Sequence, residues 1–448
     1  MRKRALAALA VVASAALILS GCSGASGDSS STIKVAYQKY GTFVQLDSLM
    51  KKVKKEFEAA NKGITVQLQP IQAAEGDYYT KLALQNKSSS TAPDVMYEDT
   101  FQVKSDVAAG YLAPLDSYIA KWNEWDQFLG NAKQAGLGDD GKTYGISMGT
   151  DTRALWYNRQ LFQKAGLDVP WKPKTWDEVL SAAKTIKQKL PGVIPFNVYS
   201  GKAQGEAATM QGFEMLLYGT KDTLYDTNGK KWVAGSKGFS DSLQFVQEVY
   251  QGGLGPTPQQ ALDKNIGTTI SSEWLPKGKL AISLDGSWQS GTWLSTGTAP
   301  WPEWNDVMGQ APMPTQNGQS PGATSMSGGW TLAMGSKSKN KSAAWNFIKL
   351  ALNKENSMGY DIAASQIAVR KDVAADPAYQ KANPSFEFFS SIVPVTNFRP
   401  ATQDYPKISN AITVAMEAVM TGQQSPKQAA ADYDQTLTSI VGDKNITK

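Results

Sequence analysis

The strongest constraint on this chain is a change of apolar period close to residue 33. Ile33, Val35 and Tyr37 recur at every second position, Leu46, Leu49, Met50, Val53 and Phe57 recur at helical spacing, and Ile64, Val66 and Leu68 return to period two. Alternation turns one face of a strand to a core, and a 3.6-residue period does the same for a helix, so these residues predict a β-α-β unit. Two strands joined through a helix run parallel, and a parallel sheet must be covered by helices on both faces. The chain is thereby committed to an α/β architecture with ligands near the carboxyl ends of its strands.

Later segments keep the alternation. A helical pattern covers 78–85, and Pro93-Asp94-Val95-Met96-Tyr97 reads as a strand. Thr175-Trp176-Asp177-Glu178 has the form of a capping box opening a helix, and 239–250 has a further apolar stripe. A strand over 279–284 stops at Asp285-Gly286-Ser287-Trp288, 330–334 reads as another strand, and the last 45 residues read as purely helical. At 448 residues the chain exceeds what one compact core organises, so two or three domains are expected.

Composition narrows the chemistry. The chain has no His and one Cys. A histidine-dependent nucleophile pair, a His-ligated metal, a zinc–thiolate cluster and an intramolecular disulfide are therefore excluded. Carboxylate chemistry, lysine chemistry and plain binding survive.

Arg2, Lys3 and Arg4 precede an apolar run from Ala5 to Leu19, followed by Ser20, Gly21 and Cys22. This has the layout of a secretory signal peptide over 1–21. Leu19-Ser20-Gly21-Cys22 resembles a bacterial lipobox, which implies lipidation of Cys22 and a membrane anchor that does not span the bilayer. Residues 22–32 are Ser/Gly-rich and read as a flexible tether. Without Arg2, Lys3 and Arg4 the cations number 42 against 40 acidic residues, too even a balance for a nucleic-acid partner.

Among 13 Trp, several stand in polar company: Trp122, Trp125, Trp171, Trp288, Trp293, Trp301 and Trp304. An aromatic face beside polar groups suits a ligand with apolar C–H faces and a hydroxyl rim, as sugars have; each such Trp is otherwise a core or surface residue.

Seven strings then occur in order: Pro93-Asp94-Val95; Gly141-Lys142-Thr143-Tyr144-Gly145-Ile146; Leu155-Trp156-Tyr157-Asn158-Arg159 with Ala165-Gly166-Leu167; Thr175-Trp176-Asp177-Glu178; Gly278-Lys279-Leu280-Ala281 leading to Gly286-Ser287-Trp288; Gly328-Gly329-Trp330; and Arg399-Pro400. Together they resemble the extracellular solute-binding proteins of carbohydrate ABC transporters, the maltose- and oligosaccharide-binding type. The resemblance implies a two-lobed periplasmic-binding-protein-like fold of type II, with the ligand cleft between lobes joined by several crossings. Carried over, one lobe comprises 33–147 plus 323–364 and the other 148–322 plus 365–448.

It also implies a set of binding residues. Asp151 and Arg153 follow the first crossing, where a carboxylate and a guanidinium suit a sugar edge; the alternative is a hinge salt bridge. Trp288 matches a stacking aromatic, the alternative being a core residue. Glu98 and Asp99 are hydroxyl acceptors or parts of a solvated loop. Tyr40 is a cleft residue or simply buried. Gly328 and Gly329 allow close backbone approach, with Trp330 stacking beside them, or form a plain turn. Glu206 and Arg399 complete the set.

The function implied is a non-enzymatic receptor, monomeric and lipid-anchored on the extracellular face of a bacterial membrane. It captures a di- or oligosaccharide and hands it to permease subunits served by a separate ATPase, with no metal, cofactor or catalytic residue of its own. Two other readings stay open. One is a binding protein of the same fold for a polyol phosphate or polyamine; the other is a secreted glycoside hydrolase using paired carboxylates among Glu98, Asp99 and Asp151.

Overall fold

The computed structural model describes residues 31–41, 43–73 and 75–448. The signal peptide, Cys22 and the tether up to residue 30 lie outside the described residues. Strand structure begins at Thr32, the last position assigned to the tether.

The β-α-β unit forms as the periods require. Strand Thr32–Lys39 buries Ile33 and Val35, and helix Gln45–Ala60 turns Leu46, Leu49, Met50, Val53 and Phe57 inward. Strand Thr65–Gln72 then pairs in parallel register, Ile33 opposite Val66. Full burial of side chains of this kind contributes about 1.5–3 kcal/mol each. Strand Val95–Asp99 adds on the other side of Thr32–Lys39, also parallel. Beyond it Trp330–Met334 inserts antiparallel between Val95–Asp99 and Gly145–Ser147, so the first sheet is completed from far along the chain.

The second sheet is ordered Met308–Ala311, Arg153–Asn158, Leu280–Gly286, Ile194–Asn197. It departs from the parallel expectation, because Arg153–Asn158 runs antiparallel to both neighbours. That strand arrives directly from Gly145–Ser147 of the first sheet and not through a helical crossover. Only Ile194–Asn197 and Leu280–Gly286 pair in parallel there.

The two largest of the four buried apolar clusters among the described residues are separate from each other. One gathers Val35, Met50, Phe57, Ile146, Leu332 and Phe347, and the other gathers Leu155, Phe196, Phe213, Leu284, Met416 and Leu437. The final helices, Tyr405–Met420 and Pro426–Val441, pack into the second. The C-terminal end is not purely helical, since Ile446–Thr447 pairs in parallel with Lys231–Val233. The capping box is half made: Thr175 accepts from the Glu178 amide at 3.2 Å, but the Glu178 carboxylate turns to the Lys174 amide at 2.8 Å.

Crossings join the two sheets. Thr150 and Ile367 exchange backbone bonds of 2.9 and 2.7 Å, and the Thr150 hydroxyl donates to the Gly328 carbonyl at 2.8 Å. The crossing segments touch so closely that a Cβ on Gly329, whose φ is +143°, would lie 2.6 Å from the Gly149 carbonyl oxygen. Gly329 therefore serves the packing of crossing against crossing.

A candidate ligand cleft between the two sheets

A cleft opens at the carboxyl ends of the strands of the first sheet. Gln38, Tyr40, Tyr97 and Trp330 line it from that side; Asp151, Arg153, Tyr199, Asp285, Trp288 and Gln289 line it from the other. Tyr360 and Gln366, beside the crossing at Ile367, form part of its wall. Of the expected site residues, Tyr40, Asp151, Arg153, Trp288 and Trp330 line this cleft.

The two tryptophans are held by different means. Trp330 stacks on Tyr97 with centroids 4.2 Å apart and planes 3° from parallel. Trp288 lies under the Arg153 guanidinium, 4.8 Å from the ring centroid. Offset aromatic pairs and cation–π contacts fix ring orientation while leaving part of the ring for a ligand, and both indoles are half-buried. The other tryptophans in polar company sit in cores or, in the case of Trp125 and Trp301, pack half-buried against them. Trp122 packs edge-on to Trp345, Trp171 packs on Tyr157 and Phe162, and Trp293, Trp301 and Trp304 pack around one another.

The charges in the wall are met from within the protein. Asp151 is ion-paired with Arg153 and also accepts from the Gly328 amide at 3.0 Å. Lys264 pairs with Asp77 at 3.0 Å. Asp285 accepts from the Tyr199 hydroxyl at 2.8 Å, from the Gly286 amide at 2.8 Å and from the Gln289 amide. Burial pushes its pKa up to about 6, against the pull of those bonds and of Arg153. Four residues that line the cleft carry a buried polar atom without a hydrogen-bond partner among the described residues: Nε of Arg153 and Oε1 of Gln45, Gln211 and Gln289. With Gln38, Gln204 and Gln366, six glutamines line the cleft, each carrying both donor and acceptor.

The remaining expected site residues are placed elsewhere. Glu98 does not line the cleft: Tyr97 does, and the next residue of a strand points to the opposite face. Its carboxyl meets Asp106, and burial, reinforced by that neighbour, holds its pKa well above the carboxylate range. Asp99, Glu206 and Arg399 are also absent from the lining and instead form one buried ion cluster. Arg399 reaches Asp99 at 2.5 Å and Glu206 at 3.1 Å. Gly329 serves the crossing, as described above. Conversely, the sequence reading missed Asp285, Tyr199, Gln289 and Tyr97. Asp285 carried a signal, as the acidic residue at the end of strand Leu280–Gly286 directly before Gly286-Ser287-Trp288. The glutamines carried none.

Two α/β lobes with separate cores, joined by crossings and facing each other across a cleft, define a binding protein of the clamp type. A family model described as bacterial extracellular solute-binding protein matches residues 40–358, and the chain belongs to that family. Family members act outside the cytoplasmic membrane as solute-binding proteins of ABC transporters. A binding protein of Brucella abortus is 25% identical over 399 residues, covering 86% of this chain and 89% of its own. The diacetylchitobiose binding protein of Streptomyces coelicolor is 24% identical over 394 residues, covering 85% of this chain and 83% of its own. The crystal structure of an ABC transporter solute-binding protein from Thermotoga lettingae, bound with α-D-tagatose, superposes with a TM-score of 0.79 at 24% identity, covering 92% of this chain and 100% of that one. That likeness establishes the fold.

Proposed function

We propose that this protein captures an uncharged di- or oligosaccharide in the cleft and delivers it to the permease subunits of an importer. The supporting observation is the character of the wall: two half-buried indoles, Trp288 and Trp330, beside six glutamine side chains, with Asp151 and Lys264 already ion-paired and Asp285 hydrogen-bonded within the protein. Indole faces cover the C–H faces of a pyranose, and the glutamine amides that line the cleft take hydroxyls in either sense. A polyol phosphate needs uncommitted cations and a polyamine uncommitted carboxylates. The sugar-binding relatives support the same reading.

Tyr40, Asp151, Arg153, Trp288 and Trp330 are the ligand residues in this proposal, joined by Asp285 and Gln289. Lobes 33–147 plus 323–364 and 148–322 plus 365–448 would close on ligand as rigid bodies about the crossings. The protein would act as a monomer, anchored to the membrane through Cys22. The test is thermal unfolding of residues 23–448 with α- and β-linked saccharides, polyol phosphates and polyamines. A ligand at 100 times its Kd adds about 2.7 kcal/mol of stability. A rise in melting temperature with one saccharide class supports the reading, and a rise confined to a charged solute contradicts it.

A further inference from the structure

Arg399 does not line the cleft, yet its contacts lead to Trp330, which does. The guanidinium binds both Asp99 oxygens, Nη2 to Oδ1 at 2.5 Å and Nη1 to Oδ2 at 3.3 Å. Asp99 Oδ2 also accepts from the Tyr79 hydroxyl at 3.0 Å. The Tyr79 ring lies 25° from parallel with Trp330, centroids 6.0 Å apart. A second route runs through Phe101, which lies 4.3 Å under the Arg399 guanidinium and meets Tyr79 edge-on at 5.3 Å. Asp99 is moreover the strand partner of Trp330.

Arg399 and Asp99 come from distant parts of the chain and meet beside the crossings, where Asp99 pairs with Trp330 and Arg399 lies next to Gly328. Asp99 ends a strand of the first sheet, whereas Arg399 follows Thr396–Asn397 and precedes the helices of the second core. Both side chains are 4% exposed. On the Arg399 side the guanidinium is held by Glu206, itself bonded to Ser409 and Tyr405. The charge is thus fixed within one lobe and acts on the other.

We infer that Arg399 is an interlobe positioning residue: through Asp99 and Tyr79 it sets the stance of Trp330, so a charge on one lobe orients the aromatic wall of the other. The use of Trp330 by a ligand rests on the proposed sugar reading; its positioning by Arg399 does not, and the test is run without ligand.

The experiment is fluorine NMR of the protein labelled with 5-fluorotryptophan, with the Trp330 line assigned from Trp330→Phe and the Trp156 line from Trp156→Phe. In Arg399→Gln and in Tyr79→Phe, which removes the hydroxyl and keeps the ring, the Trp330 line is expected to shift or broaden while the Trp156 line stays in place. In the double variant the displacement should fall short of the sum, because both changes cut the same path. If Arg399→Gln does not fold, Asp99→Asn with Tyr79→Phe runs the same cycle. A Trp330 line unmoved in folded variants, or one that moves only together with the Trp156 line, overturns the inference.

Discussion

Trp288 occupies the space that a side chain at Gly286 would fill. A Cβ on Gly286 would stand 1.9 Å from the nearest indole carbon, so the strand can end in Gly-Ser-Trp only if its first residue has no side chain. The absence of a methyl thus sets the angle at which the indole meets the cleft, with Arg153 over its ring.

Gly286→Ala is accordingly predicted to displace the indole and to weaken saccharide binding about tenfold or more, or about 1.4 kcal/mol. Trp288→Ala should give a loss at least as large with the fold intact. Titration calorimetry with a bound saccharide checks both, and full affinity in Gly286→Ala would show that the stance of the indole is immaterial.

Arg153 and Asp151 are both buried and depend on each other. Arg153→Met leaves the Asp151 carboxylate without its cation, which typically costs about 3–5 kcal/mol. The double variant Arg153→Met/Asp151→Asn should recover a substantial part of that loss in urea unfolding while remaining weak in ligand binding. Recovery of binding together with stability would demote the pair to a hinge salt bridge.

Glu98→Gln should leave ligand affinity unchanged, because Glu98 points away from the cleft toward Asp106. A drop of tenfold or more would return Glu98 to the binding site.

Glu214 gives a pH signature. Burial, helped by the charge of Glu206, pushes its pKa up from 4.5 to about 8. Between those two values the native protein holds a proton that the unfolded chain has lost, so this group's contribution to stability falls as pH rises. Glu214→Gln should therefore raise the melting temperature relative to the parent more at pH 8 than at pH 5. An equal difference at both values would contradict the buried, proton-holding state.

What the sequence conveyed follows from the range of each signal. The β-α-β unit was legible because Ile33, Val35, Leu46, Met50 and Phe57 act through period alone, which is local. Trp288 and Trp330 were legible from their places at strand ends and from the family resemblance. Glu98 was misplaced because a polar residue near a strand end has two possible faces, and only the register of Tyr97 decides between them. Asp99 and Arg399 lie 300 residues apart, so nothing local revealed that each neutralises the other and is withdrawn from the cleft. Asp285 hid for a related reason: its three donors include Tyr199, which reaches it only once Ile194–Asn197 and Leu280–Gly286 have paired.

The central claim is that the cleft takes a neutral saccharide. Titration calorimetry of residues 23–448 with neutral oligosaccharides, polyol phosphates and polyamines, repeated on Trp288→Ala, tests it most directly. The account predicts saturable binding of one neutral saccharide class at one site per chain, lost or sharply weakened in the variant. Saturable binding of a charged solute alone, or saccharide binding that Trp288→Ala leaves untouched, would contradict it.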